Sequence, residues 1–88
     1  MTTAAFTAAM ALMLKYQRLR LTMDEVADEL GIARNTLANQ RARGDDIVPT
    51  YLEGNRRYAD VRDVGEYIDR QRDAARAAFD AAQQKRAA

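Results

Sequence analysis

Apolar residues recur at helical spacing near the start of the chain: Phe6, Ala9, Met10, Met13 and Tyr16 fall on one stripe. Together with the alanines and methionines around them, this predicts a helix over residues 3–16. The bulky stripe reads as a core face. The period then changes. In "RLRLT", Leu19 and Leu21 alternate with Arg18 and Arg20, which fits a short strand or an extended lead-in. Thr22-Met23-Asp24-Glu25 is a capping box, in which the Thr22 hydroxyl accepts from the Glu25 N–H and Glu25 reaches back. The helix it starts turns Val26, Ala27 and Leu30 inward and ends at Gly31, which supplies a left-handed residue. A second helix is expected from Arg34 to the glycine stop at Gly44.

The next segment, "DDIVPTYLEGNRRYAD", carries strand formers at Ile47, Val48, Tyr51 and Leu52. Pro49 restricts its strand to an edge. Glu53-Gly54-Asn55 marks a turn and Arg56-Arg57-Tyr58 a returning strand, so a small hairpin with a basic tip is predicted. Asp60 is the expected cap of a last helix. Val61, Val64, Ile68, Ala75, Ala78, Phe79 and Ala82 follow its stripe, with Tyr67 alongside. Gly65 should weaken that helix by up to ~1 kcal/mol relative to alanine. If it reaches Lys85 it is about 37 Å long, more than such a domain needs.

Composition narrows the chemistry. The chain has 88 residues, no cysteine and no histidine. Disulfides and Cys/His zinc sites are excluded, and the most common general base is missing. No carboxylate pair sits in an apolar setting that would raise its pKa. Neither an enzyme nor a cofactor or metal is therefore expected. No stretch approaches the ~20 apolar residues of a membrane span. Met1 opens into "TTAAF" without a basic region, so a secretory leader is not expected either. The reading is a soluble, cytoplasmic protein.

Charge distribution says more than its balance of 14 basic against 13 acidic residues. Asp24, Glu25, Asp28 and Glu29 form an acidic run, whereas residues 33–44 are basic only. A helix, a glycine turn and a second short helix make a helix-turn-helix, and a hairpin placed directly after it makes a wing. The acid-free second helix is then the element for a DNA major groove. Arg34, Asn35, Thr36 and Asn39 are the candidates for base contacts, since Arg matches guanine O6 and N7 while Asn matches adenine N6 and N7. Arg41 and Arg43, late in the helix, suit phosphates or compensate the helix C-terminus. Arg56 and Arg57 lie on opposite faces of a strand. At least one should reach backbone or minor groove, leaving the other for packing or an ion pair. Lys15, Arg18 and Arg20 either form a second phosphate patch or neutralise the acidic helix that follows.

With these elements in place, "LTMDEVADELGIARNTLANQRARG" followed by "VPTYLEGNRRYADVRDVGEYI" resembles the MerR-like winged helix-turn-helix of phage and mobile-element excisionases. Such domains often carry an aromatic where Gln40 stands, so Gln40 either loses core packing or gains a polar contact. "DVGEYIDRQRDAARAAF" is similar to the C-terminal helix of the pyocin activator protein (PrtN) family, as are the N-terminal helix and the spacing from Gly44 to Pro49. The wing, with "EGNRR" at its tip, is shorter than in that family. The resemblance implies either a transcriptional activator or a recombination directionality factor of the RdfS-type excisionases.

The expected fold is thus mainly α with a small β-hairpin wing: a winged helix-turn-helix with an extra N-terminal helix and a long C-terminal helix. Residues 1–18 form an N-terminal helix and oligomerisation arm. Residues 19–60 form the DNA-binding domain and residues 61–88 the long helix. The expected partners are double-stranded DNA, a second copy, and an integrase or RNA polymerase, with no membrane. The expected function is sequence-specific, cooperative DNA binding in the bacterial nucleoid, acting as an excisionase. A pyocin-type activator is the alternative, with the acidic run as a polymerase contact, and an antitoxin-like interaction module is a remote one. Phe6, Met10, Met13, Tyr67, Ala75 and Phe79 are the expected contacts between copies. The N-terminal stripe either folds back on its own long helix or docks on a neighbour, head to tail.

Overall fold

A computed structural model describes residues 6–87. Four helices surround a three-stranded antiparallel sheet. The order is α1 (Ala8–Tyr16), β1 (Arg20–Thr22), α2 (Met23–Leu30), α3 (Arg34–Ala42), β2 (Tyr51–Glu53), β3 (Arg56–Asp60) and α4 (Val61–Ala87). No helix among the described residues is long and apolar enough to cross a membrane.

The first helix starts later than its periodicity suggests. Thr7 is extended and its hydroxyl accepts from the Met10 N–H, so Phe6 precedes the helix; the expected turn at residues 3–5 lies outside the described residues. Only part of the stripe faces the core. Leu12 is buried, with Ala9 and Tyr16 partly so, while Phe6, Met10 and Met13 are exposed. The reason is the crossing with α4, where Ala9 lies directly against Gly65. Backbones that close leave no room for a bulky stripe. Asp69 of α4 completes the docking by accepting from the Ala8 N–H at 3.2 Å. Gln17 then closes α1 in the left-handed region, φ 56, its N–H bonded to the Met13 carbonyl.

The extended stretch before α2 is a true strand. β1 pairs with β3, Leu21 opposite Ala59, and both are fully buried. The β2–β3 hairpin completes the sheet, leaving β2 at an edge. Ile47 and Val48, expected within the strand, precede it. Pro49 has no N–H for a ladder, so the strand starts beyond it and Val48 instead enters the core. Gly54, φ 64, takes the first position of the two-residue turn between Glu53 and Arg56, as a type II′ hairpin requires.

The capping box at Thr22 and Glu25 forms as expected. Gly31, φ 66, and Gly44, φ 76, end α2 and α3. In each case the residue after the glycine bonds back, Ile32 to the Ala27 carbonyl and Asp45 to that of Gln40, the bond that defines a Schellman ending. Asp60 caps α4 by accepting from the Arg62 N–H at 2.8 Å.

Leu12, Leu21, Val26, Val48, Val61 and Val64 share one core cluster. The N-terminal helix and the start of α4 therefore belong to the same core as residues 19–60, and α1 is not a free arm. Tyr67 packs against this core too. Beyond Asp69 the long helix leaves it: every described residue from Arg70 onward is exposed. This projection gives the molecule its 56 Å long axis.

Candidate nucleic-acid interface

α3 sits on the surface. None of its nine residues is buried. Leu37 packs on the core, and with Ala38 and Gln40 it forms the half-buried side of the helix. Asn35 and Asn39, one turn apart, are exposed, as are Thr36 and Arg43. Asn35, Thr36, Asn39 and Arg41 make no side-chain hydrogen bond among the described residues, whereas Arg43 donates to Asp45 at 3.3 Å. Ala33 provides no side-chain cap, so the first N–H groups of α3 have no side-chain partner. Such groups, at the positive end of a helix dipole, suit an anionic ligand.

The hairpin brings its arginines to the same side. An open cleft of 260 Å³ is lined by Thr22, Met23, Asp24, Arg34, Asn55, Arg56 and Arg57. Arg56 is exposed, while Arg57 is half-buried and donates to Thr50 Oγ1 at 2.8 Å. Of the two, Arg57 takes the role within the fold, and Arg56 is left facing solvent. A smaller cavity of 70 Å³ lies behind it, between α3 and the start of the hairpin, with Gln40, Arg41, Asp46, Val48 and Arg57 in its walls. Gln40 Oε1 is buried there without a hydrogen-bond partner. Among the described residues Gln40 thus gains no polar contact through that atom.

The second basic cluster is spoken for. Lys15 Nζ donates to Glu29 at 2.5 Å, and Tyr16 Oη donates to the same carboxylate at 2.6 Å. Arg18 grips Glu25 with both ends of its guanidinium, and Arg20 pairs with Glu53. These contacts hold the Glu25 carboxyl down to about 2, chiefly through Arg18 and then the Thr22 N–H. Glu29 is lowered too, first by Lys15 and then by Tyr16. For Lys15 and Arg18 the geometry matches neutralisation of the acidic helix, whereas Arg20 pairs with Glu53 of β2. The acidic run is correspondingly engaged: Glu25, Glu29 and Asp24 pair with Arg18, Lys15 and Arg34, while Asp28 has no ion-pair partner among the described residues.

Ala75 and Phe79 lie on the projecting part of α4, and Met10 and Met13 on the outer face of α1, with Phe6 exposed just before it. These two apolar surfaces are not brought together within the chain. Sequence reasoning missed Asp24 as the partner of Arg34, Nε to Oδ1 at 2.9 Å. The charge pattern held the clue, an acid in the first turn of one helix and a base in the first turn of the next. Compared with family models, with curated proteins and with solved structures, the chain matches none.

Proposed function

We propose that this chain is a sequence-specific double-stranded DNA-binding protein of winged helix-turn-helix type. α2 and α3 form the helix-turn-helix, and the β2–β3 hairpin is the wing. Arg34, Asn35, Thr36 and Asn39 read bases in the major groove, while Arg41, Arg43 and Arg56 meet phosphates or the minor groove. One observation carries the reading. α3 contains no acid, presents Asn35 and Asn39 outward without protein partners, and shares a cleft through Arg34 with the wing residues Asn55 and Arg56. An exposed amide pair one turn apart serves no packing purpose and matches adenine edges in donor–acceptor type.

On DNA the protein assembles in several copies, through the exposed faces of α1 and the α4 projection, and favours excision of a mobile element by shaping its attachment site. The excision role rests on the likeness to excisionases of the elements described above. The activator alternative has less support, because three carboxylates of its candidate polymerase surface are already paired. Catalysis has no part in this reading; binding and bending supply the effect.

The test has two stages. A selection from random duplexes, followed by anisotropy titration, should give a preferred sequence bound at least about a thousandfold more tightly than scrambled DNA. An excision assay with the cognate integrase should then show more excised circle when the protein is present. Equal affinity for all duplexes would overturn the DNA reading. Normal DNA selection without an effect on excision would overturn only the role in recombination.

A further inference from the structure

Asp24 and Arg34 stand ten residues apart on different helices and meet at the cleft between α2 and the hairpin. Their side chains are 82% and 51% exposed. An ion pair this exposed contributes little to stability. It does, however, turn Nε of the guanidinium toward Asp24. Arginine has five N–H donors in a rigid fork. Here Nε donates to Asp24, and Nη1 and Nη2 donate to nothing among the described residues. Those two nitrogens form the end of the fork, and they can bind guanine O6 and N7 together.

We propose that Asp24 is a positioning residue that holds Arg34 for guanine readout while weakening attraction to DNA of any sequence. This rests on the DNA-binding reading above. Arginine loses much rotamer freedom on binding, so a side chain already oriented by a neighbour discriminates better between bases. The same carboxylate lies at the mouth of a cleft lined by Arg34, Arg56 and Arg57, where it repels a phosphate backbone. Asp24 thus has effects of opposite sign on specific and non-specific binding. A purely repulsive acid would alter both equally. An acid that merely favours the start of α2 would alter folding alone, and the Thr22–Glu25 box holds that start independently.

The experiment takes the preferred duplex selected by the wild-type protein and replaces each G·C pair in turn. Arg34→Ala should abolish the preference at one such pair. Asp24→Ala should reduce the preference at that same pair by about three- to tenfold, leave the others unchanged, and tighten binding to scrambled duplex about two- to fivefold. Asp24→Asn keeps an acceptor for Nε, so it should retain most of the preference while also tightening scrambled binding. Circular dichroism melts confirm that each variant is folded. The proposal is overturned if Asp24→Ala keeps the full preference at the Arg34-dependent pair, if all duplexes change by one factor, or if both variants simply unfold. If the wild-type protein selects no sequence at all, the DNA reading falls and this inference with it.

Discussion

Gly65 of α4 touches the backbone of Ala9 in α1: a β-carbon at position 65 would stand 2.4 Å from the Ala9 nitrogen and 2.9 Å from its methyl. In an isolated helix, glycine to alanine is favourable by about 1 kcal/mol. Here the sign should reverse. Gly65→Ala forces α1 away from α4 and should destabilise the fold by about 1–3 kcal/mol, the usual range for overpacking. Urea titration measures it directly. A variant more stable than wild type would mean that α1 does not pack at this site.

Gln40 offers the opposite change. Its Oε1 is buried without a partner beside a 70 Å³ cavity whose apolar lining includes Met23, Val26, Leu37, Ile47 and Val48. An unsatisfied buried acceptor costs about 1–3 kcal/mol. Gln40→Leu should therefore raise stability by roughly 1–2 kcal/mol. Because the residue faces inward, affinity for the selected duplex should stay the same. A lower urea midpoint would show that the amide is satisfied in solution.

How much of this was legible in the sequence follows from how local each cause is. The capping box at Thr22, the stops at Gly31 and Gly44, the turn at Gly54 and the cap at Asp60 are local, and each was readable. The outward face of α1 was not. Periodicity places Phe6, Met10 and Met13 on the core stripe beside Ala9 and Tyr16, but Gly65, more than fifty positions away, admits only the small Ala9 at the crossing, and Leu12, outside the stripe, is buried. β1 was ambiguous for the same reason, since its partner β3 is distant in sequence. In the candidate interface, the exposed positions on α3 were evident from its missing acids. The Asp24–Arg34 pair needed the angle between two helices, which no spacing rule supplies.

Glu25 makes the fold acid-sensitive in a defined window. Its folded-state pKa, about 2 against an ordinary 4.5, is depressed. Its contribution is therefore complete above the unfolded value and is lost as pH falls from about 4.5 toward 2. Glu29 and Asp60, lowered by Lys15 and Arg62 respectively, act in the same direction. Urea midpoints should be flat near neutrality and drop below about pH 4.5. Glu25→Gln should make that drop shallower. A midpoint independent of pH down to about 3 would contradict these pairings.

Arg56 and Arg57 should separate experimentally, although they are neighbours. Arg56 is exposed at the hairpin tip, and its loss should reduce the slope of log affinity against log salt by about 0.9 with little change in stability. Arg57 bonds to Thr50 within the fold. Arg57→Ala should lower the melting temperature as well as affinity. Identical behaviour of the two variants in both measurements would mean that the hairpin does not distinguish its two faces.

The proposed assembly of several copies can be tested on the projecting half of α4. Phe79 is 57% exposed on a stretch in which every described residue from Arg70 onward is exposed. Burying such a side chain is worth about 1.5–3 kcal/mol. The chain's own α1 does not reach it. The N-terminus of α1 is fixed by Asp69, and Phe79 lies about 15 Å further along the helix at 1.5 Å per residue. α1 and the residue before its cap have their own uncovered residues, Met10 at 50% and Met13 at 39% on the helix and Phe6 at 74%. A second copy can cover both by laying its α1 face on its neighbour's α4 projection. Two different surfaces then meet, so the contact repeats head to tail and gives a ring or a filament. Since Leu12 belongs to the core, deleting α1 would unfold the protein, and exposed positions are the better probes. Phe79→Asp and the double variant Phe6→Asp, Met10→Asp should each remain folded, sediment as smaller species than wild type, and lower the Hill slope on DNA carrying tandem sites. If both sediment as wild type does and keep its Hill slope, these residues do not join one copy to the next.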